Sequence, residues 1–219
     1  MTASIELSAA LEGLLLHPGI GGEEAGRRLA AWKGLGVKRV LATPYLLGEL
    51  APETQEEVLF AGAVGFPSGT STLASKRMEM LECWRLGARA AAVVVTPALV
   101  AGMRVAELEK EMNLLRSTVP EIELRFLVDC ARLPEEALTV LLRLLRSTPP
   151  AFLVTADGLY GPPAAPERLR WLRDRLSKKV RLAAYVAAGD EARARDYLDA
   201  GAALLCAEDP AALLAGGRP

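Results

Sequence analysis

Histidine occurs once in this chain, at His17, asparagine once, at Asn113, and glutamine once, at Gln55. A single imidazole and no compact ligand spacing leave no basis for a metal centre, so no metal and no cofactor are expected. Cysteine is sparse too. Cys83, Cys130 and Cys206 are far apart and odd in number, which excludes a disulfide framework and points to a reducing cytoplasm. Cys130 has no histidine base beside it in sequence and reads as a buried, inert thiol. Lysine is confined to Lys33, Lys38, Lys76, Lys110, Lys178 and Lys179 while arginine abounds, a bias shared by proteins from hot environments and by chains from GC-rich genomes. Excess charge of one sign is also missing: 26 basic against 27 acidic residues give a formal net charge of -1, and nucleic acid is not an expected partner. No apolar run reaches the length of a membrane span, and Met1 to Leu16 has no basic start followed by an unbroken apolar core. A soluble, unprocessed protein without a membrane partner is expected.

What is present is a repeat. The stretch from Leu59 to Val95 reads strand, loop, helix, strand: apolar runs at Leu59–Val64 and Ala90–Val95 flank a helix that Ser71 or Thr72 can cap, that turns Leu73, Met80, Leu81 and Trp84 toward one side, and that Gly87 ends. A connection of that length joins parallel neighbours. The same device, a glycine-terminated helix feeding a short strand, recurs in GLGVKRVLATP and DAGAALLCAEDP. Applied throughout, it places strands near Leu11–Leu14, Lys38–Ala42, Leu59–Val64, Ala90–Val95, Ile122–Val128, Phe152–Thr155, Arg181–Tyr185 and Ala203–Cys206. Leu138, Leu141, Leu142 and Leu145 mark the buried face of one helix, with Arg143 and Arg146 opposite. Trp32, Trp84 and Trp171 read as helix packing residues. Eight strands alternating with helices in 219 residues, 51% of them hydrophobic, predict one domain over 1–219: an α/β single-domain TIM (β/α)8 barrel. An open doubly wound sheet is the rival topology, but His17-Pro18-Gly19-Ile20-Gly21-Gly22 after the first strand lacks the spacing of a dinucleotide-binding loop.

The run Val64-Gly65-Phe66-Pro67-Ser68-Gly69, followed by Lys76, Glu79 and Gly87-Ala88, resembles the deoxyribose-phosphate aldolase family, whose members show V-G-F-P-x-G, K-x-x-E and G-A at these intervals. The resemblance extends over nearly the whole chain and implies the barrel independently of the repeat. It also implies which positions once carried chemistry. The opening motif D-H-T-L-L-K-P is matched by Glu12-Gly13-Leu14-Leu15-Leu16-His17-Pro18; the Schiff-base lysine of K-T-S-T-G falls on Val154, the second lysine of K-A-S-G-G-I on Ala183, and the fourth-strand aspartate on Ala92. An amine that turns a bound carbonyl into an electron sink is therefore missing, as is the neighbouring cation that would lower its pKa. The G-x-S-S turn that holds the substrate phosphate reads Cys206-Ala207-Glu208-Asp209, where two carboxylates oppose a dianion; Glu208 or Asp209 can instead cap the last helix. Lys76 is the one lysine that could replace the lost amine, although its spacing to Glu79 suits an i,i+3 ion pair.

The carboxyl ends of the strands form the expected mouth. There Asp129, Asp157 and Tyr185 are candidate acids or bases, and Glu12, Thr43, Thr96, Thr155, Glu208 and Asp209 candidate ligand-binding groups. The segment Gly158-Leu159-Tyr160-Gly161-Pro162-Pro163 is the longest irregular connection at this face and is placed as part of a lid, with Val154, Leu159 and Tyr160 available to fill the mouth. Two functions follow. The favoured one is a degenerate aldolase relative, a homodimer by family resemblance, that has lost class I chemistry and serves in binding, assembly or regulation. The alternative is a lyase acting on a small polar, carbonyl or sugar-like ligand at the same mouth by another acid/base mechanism.

Overall fold

The computed structural model describes residues 7–54, 56–155, 163–187 and 193–216. Eight parallel strands, β1 (Leu11–Leu15), β2 (Arg39–Ala42), β3 (Leu59–Val64), β4 (Ala90–Val94), β5 (Glu123–Leu127), β6 (Phe152–Val154), β7 (Arg181–Val186) and β8 (Ala202–Ala207), pair in sequence order. The ring closes where β1 meets β8, with Leu11 opposite Leu205 and Glu12 opposite Cys206. This is a TIM barrel, and its strands lie where the apolar runs put them, with small differences at the ends. Around it stand α1 (Gly22–Gly34), α2 (Pro44–Thr54), α3 (Leu73–Arg85), α4 (Pro97–Ala101), α5 (Val105–Thr118), α6 (Glu135–Ser147), α7 (Pro166–Arg175), α8 (Ala194–Asp199) and α9 (Pro210–Gly216). No helix among the described residues is long and apolar enough to cross a membrane.

Local signals explain the joints. Thr72 caps α3 by accepting the amide of Ser75 at 3.1 Å. Gly36, Gly87 and Gly201, the glycines of the repeated device, all have positive φ (83°, 99° and 98°), a conformation that costs other residues steric strain and lets the chain leave a helix for the next strand. On α6, Leu138, Leu141, Leu142 and Leu145 are buried and Arg143 and Arg146 exposed, as the periodicity requires. On α3 the expected inward face is corrected. Lys76, Met80 and Cys83 are buried there, whereas Trp84 is 44% exposed, because the helix is rotated to bring Lys76 against the end of β4.

Strand alternation splits the core in two. Outward residues pack under the helices, and inward ones, including Leu14, Leu41, Ala92, Leu127, Val154 and Tyr185, fill the barrel. Alanines supply β3 and β4 with Ala61, Ala63, Ala90 and Ala92, leaving room for larger side chains such as Phe152 and Tyr185. The amino end of the barrel is ionic. Fully buried Arg125 donates to Glu12 Oε1 at 2.5 Å and, through Nε and Nη2, to Glu123 Oε1 at 3.0 and 2.7 Å; Arg39 and Arg181 also reach Glu123, at 3.3 and 3.2 Å. The Phe152 ring lies 3.9 Å from the Arg181 guanidinium and 5.4 Å from that of Arg125. Burial alone would lower the Arg125 pKa, but the Glu12 and Glu123 carboxylates outweigh it and the net shift is upward. For Glu123, burial opposes ionisation, yet Arg125, Arg39 and Arg181 together hold its carboxyl below the ordinary value.

Trp32 of α1 is buried directly over Gly13, where a β-carbon would overlap its six-membered ring. Gly13→Ala is therefore expected to overpack the β1–α1 contact and destabilise the protein by about 1–3 kcal/mol in urea unfolding. The increment should shrink in a Trp32→Leu background; an equal cost in both backgrounds would show that the indole is not what Gly13 accommodates.

Candidate functional site

The positions that the resemblance assigns to chemistry lie inside the barrel as packed apolar residues. Val154 is in register with Ala183 on the neighbouring strand, Ala92 lies on β4, and all three are buried within the interior cluster. None offers a nitrogen or a carboxylate. The mouth above them carries Tyr185, whose hydroxyl donates to Glu208 Oε1 at 3.5 Å, a long contact across the ends of β7 and β8.

The other candidates are distributed, and most are already engaged in the architecture. Thr43 Oγ1 accepts the Leu46 amide at 3.4 Å, in the first turn of α2. Thr155 is buried, its hydroxyl donates to the Ala183 carbonyl at 3.3 Å, and its own carbonyl accepts the Cys130 amide at 3.0 Å. Asp129 closes a turn by accepting the amides of Ala131 and Arg132 at 3.2 and 3.3 Å and pairs with the Arg132 guanidinium. Asp209 Oδ1 accepts the amides of Ala211 and Ala212 at 3.0 and 3.2 Å, and so caps α9. Glu12 is not at the mouth. It sits near the start of β1, fully buried, held by Arg125 and approached by the Cys206 thiol at 3.5 Å. Asp157, Leu159 and Tyr160 lie outside the described residues, as does nearly all of the segment placed as a lid.

Lys76 has a different partner from the expected one. Its ammonium donates to Glu111 Oε1 at 2.6 Å, to the Val94 carbonyl at 2.7 Å and to Thr96 Oγ1 at 2.9 Å. Glu79 instead accepts the Gly65 amide at 2.6 Å. The i,i+3 pairing fails because Lys76 faces inward between α3 and α5, where Glu111 is also buried. Thr96 belongs to the same cluster, its hydroxyl donating to Glu111 at 3.0 Å. Nothing in the local sequence pairs positions 76 and 111; the packing of α3 against α5 brings them together.

Beside the barrel mouth, over the ends of β3, β4 and β5, opens a cleft of about 580 Å³ with walls that include Pro67, Val94, Pro97, Val100, Leu127 and Leu133. Ser68, Thr70, Asp129 and Arg132 supply its polar edge. Sequence reasoning found Asp129 but not this cleft, since its walls come from loops distant in the chain. Among the described residues no group of three or more His, Cys, Asp or Glu side chains is placed to hold a metal ion.

Compared with solved structures, the chain superposes on an aldolase designated QR15 with a TM-score of 0.88 at 18% identity, covering 99% of this chain and 96% of that one. A protein of Coccidioides immitis assigned as a deoxyribose-phosphate aldolase gives 0.90 at 17% identity, covering 99% and 87%. The tetrameric deoxyribose phosphate aldolase of Aeropyrum pernix gives 0.87 at 18%, covering 98% and 92%. The fold is that of the deoxyribose-phosphate aldolases. No family model matches the sequence. Within this aldolase fold, the V-G-F-P-x-G and K-x-x-E residues have a visible structural task. Gly65 is tied to Glu79, and Lys76 to the end of β4, so the motif braces the β3–α3–β4 corner.

Two outcomes follow. Removing one member of the buried Lys76–Glu111 pair strands the other, so Lys76→Met or Glu111→Leu should each cost about 3–5 kcal/mol in urea unfolding, and the double variant less than the sum. The thiols respond to pH. Burial pushes Cys83 up from 9.0 to about 12, with Glu79 adding to the rise, and burial likewise raises Cys130 and Cys206. Folded protein thus keeps Cys83 protonated where unfolded chain ionises. Its contribution is full below pH 9.0 and declines as pH rises toward about 12. Guanidinium midpoints should fall across that window by more in the unmodified protein than in Cys83→Ala, and equal slopes would exclude the linkage.

Proposed function

We propose that this aldolase-fold barrel has lost class I aldol chemistry and acts as a non-catalytic binding protein in assembly or regulation. The observation that carries the reading is the side-by-side burial of Val154 and Ala183 in the barrel, with Ala92 also apolar, at the positions the family resemblance assigns to both lysines and the aspartate. Schiff-base formation needs an uncharged amine facing the substrate carbonyl, made so by desolvation or a nearby cation. Lys76 is no replacement: three acceptors hold its ammonium behind the barrel wall. The phosphate turn supports the same reading, because Asp209 already takes two amides that start α9, and Glu208 adds a second carboxylate. We place the protein in a reducing cytoplasm, in keeping with three buried free thiols, and as a homo-oligomer.

One observation favours the alternative of a lyase on a small polar substrate. Tyr185 and Glu208 meet at the mouth, and a phenol beside a carboxylate is an acid/base pair in principle. Asp129 contributes less to such a site, being occupied by Arg132 and its own turn.

The test is reduction with borohydride in the presence of deoxyribose 5-phosphate or acetaldehyde, followed by mass spectrometry. The unmodified protein should give no stoichiometric lysine adduct, and calorimetry no micromolar binding of the sugar phosphate. Val154→Lys alone should restore little, since groups that act as a unit are not repaired singly, whereas Ala92→Asp, Val154→Lys and Ala183→Lys together should restore adduct formation. An adduct at Lys76 accompanied by aldehyde release at an enzymatic rate would overturn the non-catalytic reading. Aldehyde or other product release without an adduct, lost in Tyr185→Phe, would establish the lyase.

A further inference from the structure

The cleft over β3, β4 and β5 stands apart from the turn Cys206-Ala207-Glu208-Asp209, where the family resemblance puts substrate phosphate. Its construction is specific. Gly69, with φ 67°, lets the loop after β3 lie against the start of α4, since a β-carbon there would come within 2.7 Å of Val94 Cγ1 and 3.1 Å of Pro97 Cδ. The opposing wall is fixed from behind, where Lys76 holds the Val94 carbonyl and Thr96 just before α4. Two close approaches and a buried ion pair thus hold open a concavity of about 580 Å³, a size that suits a small molecule rather than a macromolecular segment.

The polar groups at its edge satisfy one another. Ser68 Oγ and Thr70 Oγ1 are 2.7 Å apart, the Thr70 amide donates to Ser68 Oγ at 3.3 Å, and Asp129 is paired with Arg132. The two charges cancel, so an ionic ligand would surrender its hydration without gaining a counter-charge, while an apolar one would displace water from Pro67, Pro97, Ala98, Ala101 and Leu133 above the buried floor of Val94, Val100 and Leu127. We infer that this cleft is a binding site for an uncharged, predominantly apolar small molecule, whose body lies over the paired Val94 and Leu127 at the ends of β4 and β5, against Pro67, Pro97 and Leu133, with the Arg132–Asp129 pair at its edge. The inference rests on the binding-protein reading and deepens it by giving the ligand its chemical class.

Titration of the full-length protein with the neutral fluorophore N-phenyl-1-naphthylamine tests it. Saturable binding of one probe per chain is expected, and at least about tenfold weaker binding of the anionic 8-anilinonaphthalene-1-sulfonate, the loss of about 1.4 kcal/mol or more that an unanswered charge implies. Ala98 and Ala101 line the cleft from exposed positions on α4, so Ala98→Trp and Ala101→Trp should fill it without disturbing the core and weaken the neutral probe about tenfold or more, at unchanged thermal midpoint. Joint replacement Asp129→Ala and Arg132→Ala should leave the neutral probe within about threefold. Absence of saturation, indifference to both tryptophans, or preference for the anionic probe would overturn the inference. So would loss of probe binding with rising protein concentration alongside dimerisation in sedimentation, which would assign the cleft to a second copy. These outcomes are separable from those above: a borohydride adduct refutes the non-catalytic reading whatever the probe does, and failure of the probe refutes the cleft's ligand class whether or not an adduct forms.

Discussion

A guanidinium sealed from water has to be answered by carboxylates, and the answer to Arg125 organises the lower half of this barrel. Its partners come from β1, through Glu12 across the interior, and from its own strand, through Glu123; Glu123 in turn gathers Arg39 of β2 and Arg181 of β7. Four strands of the ring are tied by one set of charges. A hydrophobic filling could stabilise the interior as well, but deleting Arg125 from the ionic one would leave the buried Glu12 carboxylate without its cation. Sliding one of these strands by a single residue would turn its charged side chain out of the interior, so the network also opposes errors of register.

Above that layer the interior becomes apolar, and the contrast with the aldolase resemblance lies there. Motif residues that persist are those with backbone or brace duties: Gly65 with Glu79, and Lys76 with Val94, Thr96 and Glu111, hold the corner between β3 and β4. Motif residues that differ include three whose side chains would enter the barrel, at Ala92, Val154 and Ala183. Folding and chemistry draw on different atoms of the same motifs, so one can be retained without the other. The exchange at Gly13 shows the same economy on the outer face, for Trp32 occupies space that a side chain on β1 would need.

At the carboxyl face, polar residues that looked available are largely consumed by local structure. Thr43 binds the first turn of a helix, Asp129 and Asp209 close turns onto nearby amides, and Thr155 bonds the neighbouring strand. Loop polarity at a barrel mouth is therefore weak evidence of a site, because connections that start helices must satisfy orphan amides before they serve any ligand. Among the described residues, a concave surface at this face is apolar and off to one side, bordered by groups that neutralise each other.

Much of this was determined by sequence alone. Short apolar runs of strand length, separated by helices that end on Gly36, Gly87 and Gly201, specify the alternation and the parallel pairing, because each signal acts within a few residues: backbone freedom at glycine, capping at Thr72, periodicity along α6. The apolar character of Ala92, Val154 and Ala183, the positions that the family resemblance assigns to chemistry, was equally legible, since it depends only on which residue types stand there. Tertiary structure alone decided the partners. Glu12 belongs to Arg125 and not to the mouth, Lys76 to Glu111 and not to Glu79, and Trp84 to the surface. Such pairings join residues tens of positions apart or more, and they are set by how far each helix is rotated against the barrel and which strand faces which across it, quantities that emerge only when the ring closes.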